Sequence, residues 1–173
     1  MSSYAVVLLG GTELDAGGWI PRILALDRAN VGGVLAGAGL DFPEERRRAS
    51  LADPESLAVI LLRDGELAGY VHLARDWRDP DGLYVASVQL VAPQRGTTAF
   101  GLLFASACEA ARELPFRRIA SNIQPTNAPM LALARRLGLT LTPLADRPSV
   151  EVTAERDWLD SPTVRRIARR YDG

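Results

Sequence analysis

Val91-Ala92-Pro93-Gln94-Arg95-Gly96-Thr97-Thr98-Ala99-Phe100-Gly101 is the stretch on which the reading of this chain turns. Residues 83–91 before it alternate as a strand. After it, Phe100, Leu103, Phe104, Ala107, Cys108 and Ala111 repeat at helical spacing through residues 99–114. A loop of small residues running from a strand into a helix turns several unpaired backbone N–H groups the same way. The helix dipole adds roughly half a positive charge at that point. Such a turn can hold a phosphate or a diphosphate and needs no lysine. It can equally be a capped connection that binds nothing, with Thr97 or Thr98 as the cap.

Upstream, residues 57–63 and 66–74 read as two strands joined by Asp64-Gly65, a pair that favours a tight hairpin turn. Residues 4–13 read as a first strand. Residues 19–28 read as a helix with Pro21 in its first turn and Trp19, Ile23, Leu26 and Asp27 on neighbouring turns. Gly32, Gly33, Gly37 and Gly39 leave residues 31–42 as a weak helix or a loop, and a short charged helix runs from Pro43 to about Ala52. Strict alternation in 83–91 predicts one face of Tyr84, Ala86, Val88 and Leu90 and another of Val85, Ser87, Gln89 and Val91. Downstream come a strand at 118–123 and a helix at 127–137 closed by Gly138. Short strands at 139–142 and 150–153 follow, then a helix opened by Ser161-Pro162. The predicted order, β-α-α-β-β-β-α-β-α-β-β, is an α/β fold with a mixed sheet and helices on its faces. A single domain over 1–173 is expected, with 155–173 as a helical extension.

Composition narrows the function. The 173 residues are 47% hydrophobic and 24% charged, with a formal net charge of -1. A domain built to coat nucleic acid or an anionic membrane would need a large positive field, so neither partner is expected. Cys108 and His72 are the only residues of their types, which excludes a thiolate-rich or multi-histidine metal site. Every basic residue is Arg, so neither a Schiff-base lysine nor a phosphate-loop lysine exists. The N-terminal apolar run is too short for a signal peptide or a membrane span, and a cytoplasmic location is expected.

A second segment, Ser121-Asn122-Ile123-Gln124-Pro125-Thr126-Asn127 continuing to Leu139, follows the loop by about 25 residues. Together the two resemble the GNAT acyltransferase superfamily. The first is similar to its diphosphate loop, Arg/Gln-x-x-Gly-x-Gly/Ala. The second is similar to its Asn-x-x-Ala-Ile-x-Leu-Tyr-Glu-Lys-Leu-Gly-Phe segment, matched here by Asn127, Leu131, Leu133, Leu137 and Gly138. Counting from Pro93 without a gap puts Gly96 at the Arg/Gln position and Ala99 and Gly101 at the two glycines.

The resemblance implies a mostly antiparallel sheet with one splayed parallel pair, and acetyl-CoA or another acyl-CoA as co-substrate. The amides of Gly96, Thr97, Thr98, Ala99, Phe100 and Gly101 would cradle the diphosphate, and Asn127 heads the second segment. The pantetheine arm would pair with the edge near Leu90 and Val91, one of whose N–H groups would meet the thioester oxygen. The acceptor would be an amine, expected to be that of a small molecule, and a homodimer through the last strands is a further expectation.

Ala134 stands where the family often carries a tyrosine acid, and no carboxylate lies on the strand from Leu83 to Val91. The candidate base is His72, with an ordinary pKa of about 6.5, and Ser121 and Asn122 are candidates for ordering water at the cleft. Asp76 and Asp79 are lesser candidates. The arginine pairs, Arg46-Arg47-Arg48 among them, are expected on solvated faces. Two alternatives remain on this fold: an acyl-CoA binder that does not transfer, and decarboxylation of malonyl-CoA by a cleft that stabilises an enolate.

Overall fold

The computed structural model of the chain describes residues 3–37 and 39–171. Asp64 and Gly65 both take positive φ, 52° and 83°, the values a two-residue hairpin turn requires, and they join β2 (Leu57–Arg63) to β3 (Glu66–Arg75). Around this hairpin the remaining strands are β1 (Tyr4–Gly10), β4 (Gly82–Leu90), β5 (Arg118–Ile123), β6 (Thr140–Pro143) and β7 (Val150–Glu155). They form one sheet in the order β1-β2-β3-β4-β5-β7-β6, antiparallel except where β4 meets β5.

Each face of the sheet buries its own helices. Leu14 of α1 (Gly11–Ala16), Ile20, Ile23 and Leu24 of α2 (Trp19–Gly37) and Leu51 of α3 (Glu44–Ala52) pack on Ala58, Ile60 and Tyr70. On the other face, Leu103, Ala107 and Ala111 of α4 (Ala99–Arg112) pack on Val59, Leu61, Val71 and Leu73. Beside α4 lie α5 (Ala128–Arg136) and, after a 3-10 turn, α6 (Pro162–Tyr171). Leu159 and Val164 bury the C-terminal extension against α4.

Three differences from the sequence reading have local causes. The first strand stops at Gly10 and not Glu13, because α1 begins at Gly11 and the Glu13 carboxylate accepts the Gly10 N–H at 2.7 Å. A side chain at Gly11 would sit 2.0 Å from the Asp53 carbonyl oxygen, so only glycine lets the chain turn there. The helix at 19–28 runs on to Gly37 despite Gly32 and Gly33, its extension tied to β4 by Asn30, which donates to Gln89 Oε1 and Leu90 O. The alternation on β4 breaks, since Leu73 pairs with Val85 while His72 pairs with Ser87, leaving Ala86 as an extra residue. This bulge reverses the pleat. Leu83, Val85, Val88 and Leu90 all face α4, while Tyr84, Ser87 and Gln89 face the other way.

Candidate active site

The parallel pairing of β4 with β5 lasts for three residue pairs, Gly82 with Arg118, Leu83 with Ile119 and Tyr84 with Ala120. Beyond them β4 stays with β3 as far as Leu90, β5 stays with β7 as far as Ile123, and a cleft opens between the two. Side chains seal its apex where the backbone ladder ends. Ser121 Oγ donates to the Val85 carbonyl at 2.8 Å, and Asn122 Nδ2 donates to the Tyr84 hydroxyl at 3.2 Å. The Asn122 Oδ1 atom is buried and has no hydrogen-bond partner among the described residues. A buried oxygen without a donor is unfavourable and readily accepts one from a water or an ammonium. Burial raises the Tyr84 phenol above its ordinary pKa, so it stays protonated.

On the α4 side the cleft widens into a cavity of about 150 Å³ between α4, α5 and the parted strands. Ala134, 3% exposed, forms part of its wall.

The loop above the cleft carries the amides expected to form an anion cradle. Ala92–Gln94 close a 3-10 turn in which Gln94 N and Arg95 N bond back to Val91 O and Ala92 O. Gln94 is buried, its Oε1 accepting the Tyr4 hydroxyl at 2.6 Å, so the turn is anchored to β1. Gly96 takes a φ of 76°, reversing the chain into α4. Of the six amides expected to form the cradle, Ala99 N donates to Thr97 Oγ1 at 3.2 Å and Thr97 N to Gln94 O at 3.4 Å. Those of Gly96, Thr98, Phe100 and Gly101 have no partner among the described residues and lie at the start of α4. Their loop is exposed.

The two expected thioester donors separate. Val91 N donates to Ala68 O at 2.9 Å and is spent on β3. The Leu90 carbonyl accepts Asn30 Nδ2 at 3.0 Å and so faces away from β3. A strand residue's N–H points to the same side as its carbonyl, which leaves the Leu90 N–H on the open edge. Asn30, on α2, also donates to Gln89 Oε1 at 2.9 Å and accepts from Arg95, tying the helix to both strand edge and loop.

His72 lies elsewhere. It is fully buried between β3 and α3, with Nδ1 3.1 Å from Arg47 Nη1. Burial, then the Arg47 charge, lowers its pKa to about 4, and the Ser50 backbone and Asp53 offset part of that. The imidazole is neutral and enclosed at neutral pH. Arg47 is not on a solvated face. It donates to Asp27 Oδ2 at 3.0 Å and to the Tyr70 hydroxyl at 2.9 Å, while Tyr70 donates to Asp27 Oδ1 and lies 3.1 Å from Ser87 Oγ. This buried chain reaches β4 at the cleft. Its sequence signal was Asp27 on the apolar stripe of α2, since a buried carboxylate demands a partner.

The remaining candidates have structural work. Asn127 caps α5, accepting the Met130 N–H at 3.3 Å. Asp76, 3% exposed, accepts from the Arg78 backbone, Nε and Nη2, and Asp79 accepts the Asp81 N–H; both close the 76–82 loop. Burial pushes the Cys108 thiol up to about 12, which leaves it unreactive. Among the described residues no group of His, Cys, Asp or Glu could hold a metal ion, and no helix is long and apolar enough to cross a membrane.

A seven-stranded mixed sheet whose one parallel pair parts beneath a helix start defines the fold class. The acetyltransferase (GNAT) family profile matches residues 33–139, and the chain belongs to that family. It is 27% identical over 89 residues to a Bacillus subtilis (strain 168) protein named "Putative [ribosomal protein bS18]-alanine N-acetyltransferase", covering 51% of this chain and 57% of that one. The chain thus spans little more than half the length of this curated relative. An acyl-CoA N-acyltransferase from Pseudomonas aeruginosa shares the fold with a TM-score of 0.64 at 18% identity, covering 87% of this chain and 99% of that one. The diaminobutyrate acetyltransferase of Paenibacillus lautus, solved with L-2,4-diaminobutyric acid and coenzyme A, gives 0.60 at 16%, covering 89% and 96%.

Proposed function

We infer that the protein is an N-acyltransferase that moves an acyl group from an acyl-CoA to a primary amine, expected on a small molecule, in the cytoplasm. The observation that carries this reading is the parting of β4 from β5 directly below four unpartnered amides at the start of α4. A diphosphate at Gly96, Thr98, Phe100 and Gly101 would send a thiol-bearing arm down the open β4 edge. It would bring a thioester carbonyl to the Leu90 N–H. The free amine attacks that carbonyl, the oxygen gains negative charge opposite the Leu90 donor, and the carbon–sulfur bond breaks. No enzyme-bound acyl group is needed, and Cys108 is too enclosed to carry one. With Ala134 at the tyrosine position, the thiolate takes its proton from water. The ammonium proton leaves through water held by Asn122 Oδ1, and His72 acts as a neutral prop beneath Arg47.

Two outcomes are expected. Thr98 has a φ of -65°, already that of proline, and its N–H has no partner, so Thr98→Pro deletes one cradle donor with little strain. A hydrogen bond to a charged group contributes about 1.5–3 kcal/mol, so Thr98→Pro weakens coenzyme A binding by about 10–100-fold in calorimetry while the free protein melts unchanged. Asn122→Ala lowers kcat by about tenfold or more and leaves acyl-CoA affinity alone, measured as thiol release. The activity is tested by thiol release from acetyl-CoA against polyamines, amino acids and a peptide with N-terminal alanine. No binding of acetyl-CoA or free coenzyme A, together with no thiol release, overturns the reading; binding without release favours the non-transferring alternative.

A further inference from the structure

We propose that the acyl donor carries a medium chain of up to about six carbons, and that the cavity under the parted strands is the pocket for its hydrocarbon tail. The inference rests on the acyl-CoA reading above and names the donor class for the same site. The cavity measures about 150 Å³, and Val85 and Val88 from β4, Ile123 from β5, Phe104 from α4 and Leu133 and Ala134 from α5 form its wall. Its β4 and β5 residues include those beyond the last parallel pair, so it opens onto the cleft where a thioester carbonyl would meet the Leu90 N–H.

The chemistry of the wall selects the tail. Its polar side-chain groups are the Ser121 and Thr153 hydroxyls, the Trp158 indole N–H and the weakly polar Cys108 thiol, and of these the Ser121 hydroxyl is already donated to Val85 O and the indole to Leu137 O. The amides of a pantetheine arm would find few side-chain partners there, whereas a hydrocarbon tail needs none. Interiors pack with few voids larger than a water molecule, and an apolar space of about 150 Å³ stays dry and accepts a molecule the size of benzene, about six carbons. An acetyl methyl leaves most of that space unfilled. Ala134 keeps it open. A tyrosine at this buried position, where the resemblance places one, would project its ring into the cavity.

The test is calorimetric titration of the intact protein with free coenzyme A and with acetyl-, butyryl-, hexanoyl-, octanoyl- and dodecanoyl-CoA. Affinity is expected to rise up to about fourfold per added methylene and to stop rising near six carbons. Equal or tightest binding of acetyl-CoA overturns the proposal. So does a rise that continues unbroken to dodecanoyl-CoA, which marks adsorption to the surface. Ala134→Tyr is expected to abolish the chain-length dependence while retaining acetyl-CoA binding, and a folded variant with unchanged dependence also overturns it. If that variant does not fold, the wild-type series decides alone. Acetyl-CoA binding without chain-length preference leaves the acyltransferase reading standing, whereas failure of every CoA species to bind removes both.

Discussion

Arg47→Met is expected to lower the free energy of unfolding by about 3–5 kcal/mol, measured by urea denaturation at pH 7. Arg47 and Asp27 have side chains 16% and 4% exposed, and among the described residues Arg47 is the ion-pair partner of Asp27. Tyr70, the other group on Asp27, is neutral.

 Burial pushes its phenol well above the ordinary value of 10.0, so Tyr70 stays protonated and supplies no charge. Without the guanidinium, Asp27 must either remain an unpaired buried anion or take up a proton, and either is unfavourable. Replacing both partners removes that penalty. The double variant Asp27→Leu with Arg47→Met is therefore expected to regain much of the loss. A single variant that loses under 1 kcal/mol, or a double variant no better than the single one, contradicts the account.

Acidification should destabilise the protein through His72, by up to about 3 kcal/mol between pH 7 and pH 4. In the unfolded chain this imidazole takes a proton near its ordinary pKa of 6.5, but in the fold it resists until about 4. Between those values the unfolded state binds more protons, so stability rises with pH across the window and is lost as pH falls through it. The ring is fully buried, so solvent does not weaken the effect. His72→Gln removes the titrating group. Subtracting the two stability curves cancels the carboxylates common to both, and the variant should gain on the wild type by that amount on going to pH 4. Parallel curves from pH 7 to pH 4 would show that His72 is not held neutral by the fold.

The helices beside the cleft were legible because their signals are local. Asn127 and Gly138 bound α5, one accepting the Met130 N–H and the other taking a φ of 74°. The stripe from Leu103 to Ala111 placed α4 against the sheet before any contact was known. His72, by contrast, was a reasonable base on its ordinary pKa alone. Its enclosure depends on Arg47, 25 residues away, whose charge looked solvated within a run of three arginines.

By itself, the sequence determined most of the strands and helices, where the hairpin turns, and that a loop of small residues leads into α4, but not α1 or the run of α2 to Gly37. Each of these follows from side-chain periodicity and backbone preference within a few residues. Tertiary structure alone decided that Ala86 bulges, that β4 and β5 part after Tyr84 and Ala120, that Leu90 and not Val91 keeps an open N–H, and that Arg47 turns inward. Strand register and the pairing of buried charges depend on partners distant in the chain, and no local pattern encodes which of those partners will arrive.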